Sequence, residues 1–172
     1  MNLSQKSKNQ TPADSPRAQQ ISFEELLERD GVLVYTNVGC SMMPLLRQRR
    51  DVIEIRKKGP ERCKKYDVAL YKRGKKYILH RILKVLPKGY LIAGDNCVFV
   101  ERDITDENIL GVMTRVRRNG KDIAVDNPWY RLYVHLWCDC YPVRMLILRC
   151  KFLAFRVAHW LLSPLKKMIF KK

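Results

Sequence analysis

The stretch "GCSMMPLL", residues 39 to 46, sets Ser41 ahead of two methionines and a proline, with "RQRR" directly after it. A serine hydroxyl attacks a carbonyl only when a positioned base removes its proton, so the question is which group could serve. Of the three histidines, His135 and His159 belong to the C-terminal segment, while His80 lies in "YILHRILKV", where strand alternation puts it on one face with Ile78 and Ile82. A few residues on, "AGDN" ends an apolar run with Asp95, a place from which a carboxylate can orient an imidazole. Ser, His and Asp together would perform nucleophilic acyl transfer. Each also has an ordinary reading: Ser41 as a turn or N-cap serine with Pro44 in a first helical turn, His80 as a packed core histidine, and "AGDN" as a β-turn.

The segments that must position these residues read as strands. "VLVYTNV", "DVIEIRK", "DVALYKR", "KYILHRILKVL", "GYLIAGD", "GVMTRVRR" and "KDIAV" are rich in β-branched and aromatic residues, with turn chemistry at Arg73-Gly74, Lys88-Gly89 and Asn119-Gly120. The expectation is a mainly β chain, a coiled, mostly antiparallel sheet or barrel. It is preceded by a short helix "SFEELLERDG", with Ser22 as N-cap, Glu25 closing a capping box and Gly31 after the last turn. The absence of a βαβ alternation argues against a Rossmann or P-loop enzyme. Three parts follow: a polar stretch over 1–20 expected to be disordered, a β core with its leading helix over 21–127, and a basic helical extension over 128–172.

The chain of 172 residues carries 34 Lys and Arg against 17 Asp and Glu, a formal +17 that makes acidic partners plausible. From 129 to 172 nine cations face a single carboxylate, Asp139. On a helical wheel Val143, Leu146, Ile147, Cys150, Leu153, Ala154, Val157 and Leu161 form an apolar face, and Arg144, Arg149, Lys151, Arg156 and His159 gather in an arc of about 160°. Cations so placed disfavour a membrane span. Two readings stay open, a helix lying on an anionic membrane surface and a helix packed on the sheet. Six cysteines without a signal peptide read as reduced thiols in the cytosol, and Cys138 and Cys140 lack the spacing of a zinc knuckle. No metal or other cofactor is expected.

Taken in order, "GCSMMPLL", "DVIEI", "YDVALYKR", "LHRILKV" and "LIAGDN" resemble the boxes of the type I signal peptidases and their relatives in the LexA-like serine peptidase clan, over roughly residues 34 to 116. The base position of that pattern is a lysine in most bacterial members; here it is His80 ahead of Arg81, similar to the Ser-His variant of endoplasmic-reticulum and archaeal types. The resemblance implies a LexA/signal-peptidase type of fold and a serine endopeptidase acting on a peptide or protein, removing a leader or signal segment. Ser41 would attack, His80 would carry the proton, and Asp95 would orient the imidazole; Asp103 or Glu101 would be a second acid. Gly39, Cys40 and Met42 would shape the oxyanion site and hold the substrate, and the methionines with Leu45 would line shallow pockets.

The chain departs from the family in three ways. Gly39 stands where relatives often carry an oxyanion-binding serine, Arg50-Asp51 replaces the usual "GD", and no N-terminal membrane anchor is visible. A cytoplasmic protein, peripheral at the inner face of the plasma membrane through residues 129–172, is the matching expectation. The rival is a catalytically silent protein of the same fold using its basic surface for membrane or nucleic acid. Nucleic acid is the less expected partner, because no helix-turn-helix precedes the core.

Overall fold

The computed structural model describes residues 21–169, with the backbone alone for 141 and 160–169; the N-terminal polar stretch therefore lies outside the described residues. Helix α1, Phe23–Asp30, starts where Ser22 Oγ accepts from the Glu25 N–H while the Glu25 carboxylate accepts from the Ser22 N–H. It stops at Gly31, whose φ of 69° is the left-handed cap that glycine adopts without a Cβ penalty. Leu27 is buried in the core, and Phe23 packs on Tyr35 and Tyr77 with ring centroids 5.2 and 4.8 Å away.

Strands β1 (Val32–Thr36), β2 (Val52–Lys57), β3 (Val68–Arg73), β4 (Lys76–Leu86), β5 (Gly89–Ala93), β6 (Glu101–Ile104), β7 (Ile109–Arg118) and β8 (Lys121–Ala124) form one antiparallel sheet. The order is β1-β2-β7-β3-β4-β5-β6, with β8 on β7 beyond the end of β3. It does not close into a barrel. Its ends are blunted by shortness and by charge, as in Glu101, Arg102 and Asp103 of β6, and four bulges coil it.

Central strand β3 is buried on both faces and divides the interior by simple alternation. Val68 and Leu70 join a cluster with Leu27, Leu33, Met42, Leu46, Ile53 and Ile55. Ala69 and Tyr71 join the other, with Ile82, Tyr90, Ile92 and Ile104. Residues 76 to 80 of β4 pair with β3 on one side only, since β5 joins from Arg81 onward. Among the described residues a stretch of β4 edge therefore stays unpaired.

The C-terminal segment is helical, as its pattern requires. Helix α2, Pro128–Asp139, has Pro128 at N1 and Asn127 as N-cap, its side chain accepting from the Trp129 and Tyr130 N–H groups. It buries Tyr130, Val134 and Cys138 in the first cluster, so this part packs on the sheet. Helix α3, Tyr141–Ile169, buries Arg144 and Leu148 near its start, and every residue described from Arg149 to His159 is exposed. Among the described residues no helix is long and apolar enough to cross a membrane. All six cysteines are free.

Candidate active site

The turn that carries Ser41 is held by backbone and side-chain bonds from four directions. Asn37 donates from Nδ2 to the Gly39 carbonyl at 3.1 Å, and its own carbonyl accepts from the Arg49 N–H at 2.8 Å. Asp51, 1% exposed, accepts from the Arg47 N–H at 2.8 Å and pairs with Arg118, which also donates to the Leu45 carbonyl at 2.5 Å. Burial alone would raise the Asp51 carboxyl; the hydrogen bonds from Arg118 and Arg47 hold it below its ordinary value instead. On the other side, Asn96 donates its N–H to the Ser41 carbonyl at 2.7 Å and its Nδ2 to the Cys40 carbonyl at 3.1 Å.

Gly94 brings the turn against the base strand. A Cβ built on it would stand 2.5 Å from the Ser41 carbonyl oxygen and 3.0 Å from His80 Cδ2, so only glycine fits without moving one of them. Ser41 and His80, 39 positions apart in the chain, are therefore neighbours across one backbone. No hydrogen bond joins Ser41 Oγ to a ring nitrogen among the described residues.

The rest of the imidazole's surroundings fixes its tautomer. His80 Nδ1 lies 3.1 Å from the Tyr71 hydroxyl and 3.2 Å from Glu101 Oε1. Tyr71 has one proton and donates it to Glu101 Oε1 at 2.8 Å. Facing two acceptors, Nδ1 must carry the hydrogen, which leaves the lone pair on Nε2, the nitrogen bonded to Cδ2. That is the form of a general base. Burial lowers the His80 pKa, against the upward pull of Glu101, so the ring is neutral at physiological pH. Because the unfolded chain takes up a proton near 6.5 and the buried ring resists it, stability falls as pH drops below that value.

Asp95 does not sit on the imidazole. Both of its oxygens are taken by Arg81 Nε and Nη2 at 2.9 and 2.8 Å, with Tyr133 donating to Oδ2 at 3.0 Å, and both ionic side chains are fully buried. The reason is alternation: Arg81 faces opposite to His80 on β4 and carries the following carboxylate with it. Glu101, expected only as a second acid, is the carboxylate at His80; its Oε2 accepts from Arg73 at 2.5 Å. Asp103 is exposed, without a hydrogen-bond or ion-pair partner among the described residues. Met42 is core, at 1% exposed, and neither it, Met43 nor Leu45 lines the groove beside Ser41. The N–H groups of Gly39, Cys40, Ser41 and Met42 meet no acceptor among the described residues, which leaves backbone donors where the side-chain donor of the expected pattern is missing.

Tyr71, at the ring, is not among the residues expected there. The tight Arg73-Gly74 turn gives a register that sets His80 opposite Ala69 and diagonal to Tyr71, so the hairpin contained the signal. The groove at Ser41, about 490 Å³, runs between Tyr35, Asn37 and Val38 on one side and Lys76 to Leu79 on the other, with Phe23 at its wall.

Replacing Glu101 by glutamine should lower the rate at neutral pH by about tenfold by loosening the ring's orientation. It should also move the acid limb of the pH profile downward, because the carboxylate that holds a proton on His80 is gone. A pH–rate series on the variant and the parent checks both.

Set against known proteins, the chain matches no family model and no curated protein.

Proposed function

We propose that the chain is a serine endopeptidase of the signal-peptidase type, with a LexA-like β core, that removes a leader or signal segment from a peptide or protein. The observation that carries this reading is the meeting of Ser41 and His80 across Gly94, with the imidazole tautomer set by Tyr71 and Glu101.

The substrate binds as an extended strand along the unpaired β4 edge over residues 76 to 80, in the groove that Ser41 lines. Val38 and Ile78, which line that groove, offer apolar contacts to side chains beside the cut. In the reaction Ser41 Oγ attacks the scissile carbonyl as His80 Nε2 takes its proton; the Ser41 turn N–H groups receive the oxyanion. His80 then gives the proton to the leaving amine, and a water activated by the same ring hydrolyses the ester and frees Ser41. Glu101 faces the Nδ1 side of the ring, 3.2 Å away, and orients it while the imidazolium forms. Modest closure, of the kind an apo site needs, brings Oγ and Nε2 into hydrogen-bond reach.

The test is a peptidyl phosphonate followed by peptide mapping. The adduct should form on Ser41 and vanish in Ser41→Ala. An unmodified Ser41 in a folded protein would favour the rival, a silent binding protein on the same scaffold.

A further inference from the structure

Helix α3 meets the core along one flank. Arg144, 1% exposed, donates from Nη2 to the carbonyls of Gly94 at 2.5 Å and Cys97 at 3.3 Å, Leu148 is buried, and Lys151 Nζ donates to Asn96 Oδ1 at 2.9 Å. Those positions, i, i+4 and i+7, share a face. On the wheel it lies roughly 130° from the centre of the apolar stripe. The helix thus docks by a polar flank and turns its apolar stripe to solvent, with Leu146 63% and Leu153 60% exposed and Val143, Ile147 and Val157 close behind. A helix that packs on a core does the reverse.

What covers the stripe follows from charge. Arg149 and Arg156 border it on one side and Lys151 on the other, and no Asp or Glu occurs from Tyr141 to Ile169. A second copy would bring like cationic borders together, whereas an anionic lipid surface offers apolar depth beneath the stripe and negative headgroups at its rims.

We propose that α3 seats on an anionic bilayer through Val143, Leu146, Ile147, Leu153 and Val157, and that its opposite flank holds the Ser41 turn at that surface. The link is Asn96, which ties Lys151 to the Cys40 and Ser41 carbonyls. The seating stands independently of the peptidase reading, on which only the nature of the work done at the surface rests.

The full chain is mixed with vesicles of phosphatidylcholine with and without phosphatidylserine, and sedimentation and Ser41 labelling are followed in parallel. Expected are binding to the anionic vesicles, weaker by about tenfold or more on neutral vesicles or in high salt, and roughly 10²-fold weaker for Leu146→Glu with Leu153→Glu. The double variant should keep its melting temperature and its labelling rate in solution. Equal binding to neutral vesicles, no binding, undiminished binding of the variant, or a dimer that the variant dissolves would each overturn the seating. Anionic binding without Ser41 labelling would uphold it and remove the peptidase.

Discussion

His80→Ala should slow acylation of Ser41 by about 10³-fold, the range over which a positioned general base acts. The fold should survive, because Tyr71 keeps Glu101 as a partner and the Ser41 turn is held by Asn37, Asp51, Asn96 and Arg118 rather than by the imidazole. Rates measured with a phosphonate, beside thermal melts of the same preparations, separate the two effects. A variant that labels as fast as the parent would mean that the hydroxyl is activated by another group, and a variant that loses both rate and melting temperature would make His80 structural.

The second large effect concerns stability. Asp95→Asn should destabilise the protein by about 3–5 kcal/mol, because it leaves the Arg81 guanidinium buried without its counter-charge. For a domain of this size the melting temperature should fall by roughly 10 °C or more. Arg81 also donates to the Tyr66 carbonyl at 2.9 Å and the Tyr130 hydroxyl at 3.2 Å, while Trp137 Nε1 donates to the Asp95 carbonyl at 2.9 Å. The pair therefore joins β4, β5 and α2, and its loss loosens the helix as well as the sheet. The acid limb of the pH–rate profile should move far less than in Glu101→Gln. If the asparagine variant melts like the parent but shifts that limb strongly, Asp95 is the imidazole's carboxylate after all.

The contrast between Asp95 and Glu101 shows what the linear sequence reveals and what it withholds. Capping chemistry at Ser22 and Glu25, and the turns at Arg73-Gly74, Lys88-Gly89 and Asn119-Gly120, are local, so α1 and seven of the eight strands among the described residues are legible. The missing strand, β6, is short and charged, "ERDI", and takes strand form because β5 lends it a pairing edge. Whether the sheet closes depends on accumulated twist and bulges, which no single segment encodes.

For the candidate site, motif order grouped Ser41 with His80, and the two lie on either side of Gly94, but it did not indicate which carboxylate lies at the ring. "AGDN" lies close to the base strand in sequence, yet alternation turns Arg81 inward and that arginine captures Asp95. Glu101 reaches His80 through the β5–β6 pairing, a long-range contact. The outward stripe of α3 was equally hidden, since a wheel shows two faces but not which one the core accepts.

The most direct measurement is a crystal structure of the protein with a peptidyl phosphonate on Ser41. His80 Nε2 should lie within about 2.6–3.2 Å of an oxygen of the adduct, with Nδ1 still facing Glu101 and Tyr71 and the peptide paired along residues 76 to 80 of β4. An adduct whose oxygens meet no ring nitrogen, with the imidazole unmoved and the β4 edge empty, would contradict the pairing of Ser41 with His80.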